Sequence, residues 1–80
     1  MLKFQQLKKT YDNATLLFRV GDFYEAYFDD APIVAKALGL TLTSRDRFKK
    51  IPMTFFPYYQ LDDYTTKLAE AGFKTKVCEV

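Results

Sequence analysis

The segment at residues 17–31 reads LFRVGDFYEAYFDDA. The fold of the chain depends on which residues of this segment form a strand and which form a helix. The apolar run at 15–20 is compact, as is typical of a buried strand. The Gly-Asp pair at 21–22 interrupts this run. The pattern that follows predicts a helix over about 23–38, which Gly39 ends as its C′ residue.

The start of this helix has two interpretations. In the first, Asp22 is the N-cap residue and Glu25, three places later, completes a capping-box-like pair. Pro32 conflicts with a continuous helix, because an interior proline removes a hydrogen bond and kinks the helix. In the second interpretation, Asp30 caps a new helix and Pro32 lies in its first turn.

The flanking segments supply the other elements. Apolar periodicity predicts a short amphipathic helix over 2–11, and alternation predicts a strand over 40–43 with a hairpin partner over 48–55. A third helix is predicted over 60–71 and a final strand over 73–80. The resulting order, α-β-α-β-β-α-β, predicts an α/β (α+β) fold: a small mixed β-sheet flanked by about three helices.

Length and composition exclude several classes of protein. The chain has 80 residues and a formal net charge of +2, so we expect one domain over 1–80 without a strong field of either sign. One Cys and no His leave no disulfide framework, zinc-finger ligand set or His-dependent nucleophile pair. The 3 glycines lack the spacing of a phosphate-binding loop. We therefore expect no enzymatic activity, no catalytic residue, no cofactor and no metal site.

The distribution of apolar residues along the chain indicates where in the cell the protein is located. No apolar run approaches the ~20 residues of a membrane span, and no signal-peptide pattern is present. We expect a cytoplasmic protein that has no membrane partner.

Four ordered blocks carry a family resemblance. The segment 17–31 is similar to the motif F-Y-R-[MV]-G-D-F-Y-E-x-F-x-x-D-A. The later blocks are Leu42-Thr43-Ser44-Arg45, similar to L-T-x-R, then Ile51-Pro52-Met53 with Pro57-Tyr58, similar to I-P-M-x-G-[IVF]-P-Y-H, and finally Tyr64, Lys67-Leu68, Gly72 and Val77-Cys78-Glu79. On these blocks, nearly the whole chain resembles the N-terminal mismatch-recognition domain of the MutS DNA mismatch-repair family, as a stand-alone relative or an excised domain. Phe55 and Tyr59 depart from the pattern, which has Gly and His at these places.

The resemblance implies a DNA-binding module whose Phe-x-Glu element probes DNA from the minor groove. Carried over residue by residue, the wedge is Phe23 and the base-contacting carboxylate is Glu25. A wedge costs roughly a few kcal/mol per unstacked base step, and less where a mispaired or unpaired base is already poorly stacked. In this role Glu25 would accept a hydrogen bond from a base edge, and its repulsion from phosphates would penalise association without that bond. The expected partners are double-stranded DNA with mispaired or unpaired bases, and other repair proteins.

Basic residues are concentrated in one segment. Arg45, Arg47, Lys49 and Lys50 are the candidate phosphate contacts of the DNA-binding hypothesis. The same segment also fits a solvated hairpin tip.

Each candidate residue has a purely structural alternative. Phe23 falls on one helical face with Tyr27 and Val34, so it can be a core residue. Glu25 can be only the capping partner of Asp22.

The whole chain has an alternative as well, a protein-interaction module that retains the fold without autonomous DNA binding. The near-neutral net charge of the chain favours this alternative. DNA binding requires an exposed Phe23 beside Glu25 with cations flanking them, whereas protein interaction requires a dominant apolar patch elsewhere, around Phe55, Phe56 and Tyr59.

Overall fold

The computed structural model describes residues 2–48 and 50–79. In chain order, the elements are α1 (Leu2–Thr10), β1 (Ala14–Val20), β2 (Phe23–Tyr27), α2 (Asp30–Leu38), β3 (Thr43–Ser44), β4 (Pro52–Pro57), a 3-10 turn (Tyr58–Gln60), α3 (Leu61–Glu70) and β5 (Lys74–Glu79). The predicted α+β class, with a mixed sheet and three helices, is confirmed.

The sheet has five strands in the order β3-β4-β2-β1-β5. Strands β1 and β2 form an antiparallel hairpin, and β2 pairs antiparallel with β4 on its other side. Strand β5 pairs with β1 in parallel, from Ala14 opposite Lys74 to Arg19 opposite Glu79. This parallel pair makes the sheet mixed and leaves β2 at its centre.

The prediction of a helix over 23–38 was wrong in its first part. Residues 23–27 form β2, so Asp22 and Glu25 do not form a capping box. Val20 pairs with Phe23 across a two-residue turn, in which Gly21 has a φ of 59° that glycine adopts at no steric cost. The hairpin therefore takes the place of the predicted helix start.

Helix α2 begins near the place that the second interpretation gave it. Asp29 is the N-cap residue and Asp30 the first helical residue, so Pro32 lies in the first turn, where a missing N–H is tolerated. Gly39 ends the helix with a φ of 69°, as predicted. The element order therefore has one strand more than the predicted order.

The other boundaries differ mainly in β3 and β4. The predicted strand over 40–43 is the two-residue β3 at Thr43–Ser44, and its partner is Pro52–Pro57 rather than 48–55. The first helix, the third helix and the last strand lie within one residue of their predicted bounds.

Each face of the sheet carries its own hydrophobic cluster. Helices α2 and α3 cover one face, over a core of Leu17, Tyr24, Ala26, Val34, Phe56 and Leu68. Helix α1 lies on the other face, where Phe4 packs with Leu16, Phe18, Tyr27 and Cys78. Since α1 is a single short helix, it covers only part of its face, and this unequal coverage creates the site described below.

An ion pair between a half-buried lysine and a buried aspartate joins three elements. Asp30, only 2% exposed, accepts a hydrogen bond from the Leu16 backbone N–H at 3.1 Å and pairs with Lys8 at 2.8 Å. Lys8 also donates to the carbonyl of Ala14 at 2.6 Å. The pair thereby ties α1 and β1 to the start of α2. No helix in the described part of the chain is long and apolar enough to cross a membrane.

Candidate nucleic-acid interface

Strand β2 separates its side chains onto the two faces of the sheet. Tyr24 and Ala26 belong to the core under α2 and α3, whereas Tyr27 belongs to the cluster under α1. Successive residues of a strand alternate in direction, so Phe23 and Glu25 lie on the same face as Tyr27. Helix α1 packs over the Tyr27 end, and Phe23 at the other end is 41% exposed.

Three apolar side chains share this uncovered end, and we call them the Phe23 patch: Val20, Phe23 and Phe55. Their exposed fractions are 40%, 41% and 46%. Val20 is the cross-strand partner of Phe23. The rings of Phe23 and Phe55 meet edge to face, with centroids 5.5 Å apart and planes at 90°. The patch is therefore an ordered apolar surface built on three neighbouring strands.

Glu25 lies next to this patch and is half-buried. Its cross-strand neighbours are Phe18 on β1 and Phe55 on β4. The Tyr27 hydroxyl donates a hydrogen bond to its carboxylate. The carboxylate thus lies between aromatic side chains. In such apolar surroundings, a hydrogen bond to the carboxylate is stronger than it is in water.

A pocket of about 210 Å³ opens beside Glu25. Its lining comprises Lys3, Phe4, Phe18, Val20, Glu25, Tyr27 and Arg45. Burial, followed by the hydrogen bond and charge of Glu25, raises the pKa of Tyr27 to about 12, with Arg45 opposing this increase. Tyr27 therefore stays protonated and remains a donor to Glu25 throughout the physiological pH range.

The predicted cations separate in space. Arg45 is exposed and lines the Glu25 pocket, with its guanidinium 5.9 Å from the centre of the Tyr27 ring. Arg47 lines a different hollow with Leu42 and packs against the Phe48 ring at 5.1 Å. Of these two arginines, only Arg45 lines the pocket beside Glu25, and it does so at the Tyr27 end of β2.

Lys50 lies in the loop between β3 and β4. Asp46 accepts hydrogen bonds from the backbone N–H groups of Lys50 and Ile51 at 2.9 and 3.0 Å, which closes the loop between β3 and β4. The Lys50 side chain is exposed. Lys49 lies outside the described residues, so its predicted role stays a prediction.

The structural alternatives for the two central residues are contradicted. Phe23 is not a core residue, and Glu25 does not cap a helix. The alternative apolar patch does not form as proposed, because Phe56 is 1% exposed and belongs to the core, while Phe55 joins Phe23. Tyr59, at 73% exposed, lies in the 3-10 turn.

Sequence reasoning missed Val20 and Lys3 as members of the site. Val20 could have been found from the hairpin, since a two-residue turn at 21–22 pairs it directly with Phe23. Lys3 has no local signal, because only the packing of α1 brings it to the Glu25 pocket. Among residues 2–48 and 50–79, no three His, Cys, Asp or Glu side chains are grouped as a metal ion requires.

Comparison with known proteins gives matches that cover nearly the entire chain. The family model described as MutS domain I matches residues 1–80. The protein named "DNA mismatch repair protein MutS" from Thermosipho melanesiensis is 47% identical over 99% of this chain, and its counterpart from Rhodopirellula baltica is 49% identical over 99%. The protein of the same name from Thermotoga maritima is 46% identical over 99%. The chain spans only 9% or 10% of the length of these relatives.

Proposed function

The chain belongs to the MutS domain I family, and from that premise we propose that it recognises mispaired or unpaired bases in double-stranded DNA by means of Phe23 and Glu25. The recognition is a binding event without catalysis. In this proposal the chain acts on DNA in the cytoplasm together with other repair proteins.

One observation carries the proposal: Phe23 is exposed on the same strand face as Glu25, two residues away. Insertion of a large, exposed apolar side chain between bases buries apolar surface, which favours binding. Insertion requires the bases to separate, and separation costs less at a mispair or an unpaired base than in a regular duplex. The difference between these costs supplies the selectivity of the wedge.

Glu25 adds a second criterion to the wedge. A carboxylate near the DNA backbone is repelled by phosphate unless a base donates a hydrogen bond to it. In a stacked, paired duplex Phe23 cannot enter, so Glu25 stays at the groove edge without a donor. At a lesion, entry of the ring brings the carboxylate to the base edge.

Arg45 offsets the negative charge of Glu25. It lines the same pocket, on the side of the hairpin tip, and is exposed. Its guanidinium is therefore available to a phosphate next to the lesion, where arginine binds in a bidentate manner. Arg47 and Lys50 lie farther along the tip and extend this contact in a way that depends on salt concentration.

A second candidate function is that of a protein-interaction module. The net charge of +2 favours it, because so few excess cations release few counterions from DNA. The two functions differ in what they demand of Phe23: only the DNA function requires its ring for discrimination between duplexes.

The test is a fluorescence titration of the 80-residue chain at low salt with two duplexes of the same sequence. One duplex carries a single unpaired base and the other is fully paired. We expect the native chain to prefer the lesion and Phe23→Ala to bind both duplexes equally. Phe73→Ala is the matched control, since Phe73 is 37% exposed and follows α3, away from Glu25.

Two results would contradict the proposal. The first is equal binding of both duplexes by the native chain, which would favour the interaction module. The second is an unchanged lesion preference in Phe23→Ala, which would remove the wedge from the mechanism.

A further inference from the structure

We propose that Phe55 is the second half of the wedge, so that the rings of Phe23 and Phe55 enter the lesion as one unit and set which lesions are accepted. This inference rests on the proposed function and concerns a residue that the Phe-x-Glu element does not include. In this role Phe55 determines specificity by direct contact with unstacked bases.

The first support is the arrangement of the two rings. They lie at right angles with centroids 5.5 Å apart, and each is exposed by more than two fifths, at 41% and 46%. An edge-to-face pair is attractive beyond its burial. Neither ring can therefore be moved toward DNA without taking the other along, or losing the contact between them.

The second support is the register of the sheet. Phe23 and Phe55 lie on adjacent strands, and Phe55 is the direct cross-strand partner of Glu25. A base that reaches the Glu25 carboxylate therefore passes beside the Phe55 ring. Aromatic side chains stack on bases of any type, so such passage is favourable and does not depend on base identity.

The third support is the absence of cover on this face. Helix α1 packs at the other end of β2, against Tyr27. In the described part of the chain, the clusters that form the two cores do not include Phe55. Its ring is thus not required to fill the interior, and a large apolar side chain remains available for a ligand.

A wedge of two rings selects lesions by size. A single ring needs one opened base step, whereas two perpendicular rings need an opening wide enough for the second ring to lie beside the displaced base. An unpaired base leaves such a space because no base occupies the opposite position. A mispair keeps both bases in the stack. The two-ring wedge therefore favours an unpaired base over a mispair.

The experiment compares three duplexes: one with an unpaired base, one with a single mispair, and one fully paired. Binding of the 80-residue chain is measured by fluorescence anisotropy at low salt, and unstacking by the emission of 2-aminopurine placed next to the lesion. The test variant is Phe55→Leu, which removes the ring and keeps an apolar side chain. The matched control is Tyr58→Leu, because Tyr58 is also 46% exposed but packs against Arg19 on the other face of the sheet.

We expect Phe55→Leu to lower the preference for the unpaired base over the paired duplex by about threefold to tenfold, the range that an aromatic contact accounts for. The preference for the unpaired base over the mispair should also decrease, together with the 2-aminopurine emission. Tyr58→Leu should leave both preferences unchanged, and thermal unfolding of both variants checks that each is folded.

The remaining outcomes separate the two proposals. If the native chain prefers the lesion and Phe55→Leu keeps that preference in full, the two-ring wedge is wrong while the proposed function stands. If the native chain shows no lesion preference at all, the proposed function fails and the two-ring wedge fails with it.

Discussion

Tyr27 donates its phenolic hydrogen bond to the carboxylate of Glu25, two residues earlier on the same face of β2. The donor itself is buried, at 3% exposed, under the aromatic side chains of Phe4 and Phe18. The bond therefore orients a half-buried carboxylate from the core side of the sheet. A residue of the core thus holds the Glu25 carboxylate.

Removal of this hydroxyl should lower stability without disturbing the packing. We expect Tyr27→Phe to reduce the free energy of unfolding by about 1 kcal/mol, the usual net value of a hydrogen bond. Urea denaturation followed by circular dichroism measures the change. Tyr64→Phe is the control, because its ring packs on Phe56, and we expect less than about 0.5 kcal/mol there. Equal losses in the two variants would contradict a specific role for the Tyr27 hydroxyl.

The same hydroxyl should make stability depend on alkaline pH. The folded chain keeps the Tyr27 proton to about pH 12, whereas an unfolded chain releases it near pH 10. Between these values the folded state binds more protons, so the free energy of unfolding decreases as pH increases, by at most about 1.4 kcal/mol per pH unit.

Two measurements check this pH dependence. Tyrosinate absorbance of the native chain minus that of Tyr27→Phe should give a titration centred near pH 12. In urea denaturation, the native chain should lose stability faster than Tyr27→Phe as pH increases from about 10 to about 12. A difference titration centred near pH 10 would contradict the prediction, because it would show that the surroundings of Tyr27 do not raise its pKa.

The ion pair between Lys8 and Asp30 should be a major contribution to stability. Lys8→Met keeps the apolar stem but leaves the Asp30 carboxylate, 2% exposed, without its cation. We expect a loss of about 3 kcal/mol in the free energy of unfolding, because a buried carboxylate is left without its cation. Lys9→Met is the matched control, since Lys9 is exposed, and its effect should stay within about 0.5 kcal/mol. A loss below about 1 kcal/mol in Lys8→Met would mean that water replaces the cation.

Truncation of two adjacent residues of β2 should destabilise the protein to very different extents. Phe23→Ala removes an exposed ring and its edge-to-face contact, so we expect a loss of less than about 1.5 kcal/mol. Tyr24→Ala removes a ring that is 6% exposed and packed on Phe56, and we expect about 3 to 5 kcal/mol by analogy with other buried aromatic truncations. Guanidinium denaturation of both variants gives the comparison. A large loss in Phe23→Ala would instead place that ring among the structural residues.

The first and third helices, the end of α2 and the last strand could be predicted from sequence because their signals are local. Gly39 ends α2 and Pro32 fits its first turn, and both effects arise from backbone geometry alone. The β1 strand was similarly clear as a short apolar run. These elements required no knowledge of their neighbours.

Strand β2 could not be predicted in the same way. Its sequence, Phe-Tyr-Glu-Ala-Tyr, lacks apolar-polar alternation because the sheet is covered on both faces: Tyr24 and Ala26 face one core and Tyr27 the other. The aspartate before it also imitates a capping box with Glu25. Tertiary packing decided the outcome, whereas the capping-box pattern and the helical spacing indicated the wrong element.

The candidate site was predicted in part. The motif resemblance pointed to Phe23 and Glu25, and the structure places them side by side with Arg45 nearby. The position of Phe55 opposite Glu25 depends on the pairing of β2 with β4, and the position of Lys3 in the Glu25 pocket depends on where α1 docks. Such contacts join segments far apart in the chain, so no local pattern indicates them.

Strand β2 is bonded to β1 along one edge and to β4 along the other. In mechanical terms, Phe23 is mounted on a stiff support, because displacing the strand would break backbone hydrogen bonds on both sides. When a stiff body presses on a compliant one, the compliant body stores most of the elastic energy. In the proposed complex DNA is the compliant body, and its base steps differ in stiffness with sequence. In such a contact the affinity of the protein reports local DNA elasticity. The affinity for the same lesion should therefore differ between soft and stiff flanking sequences.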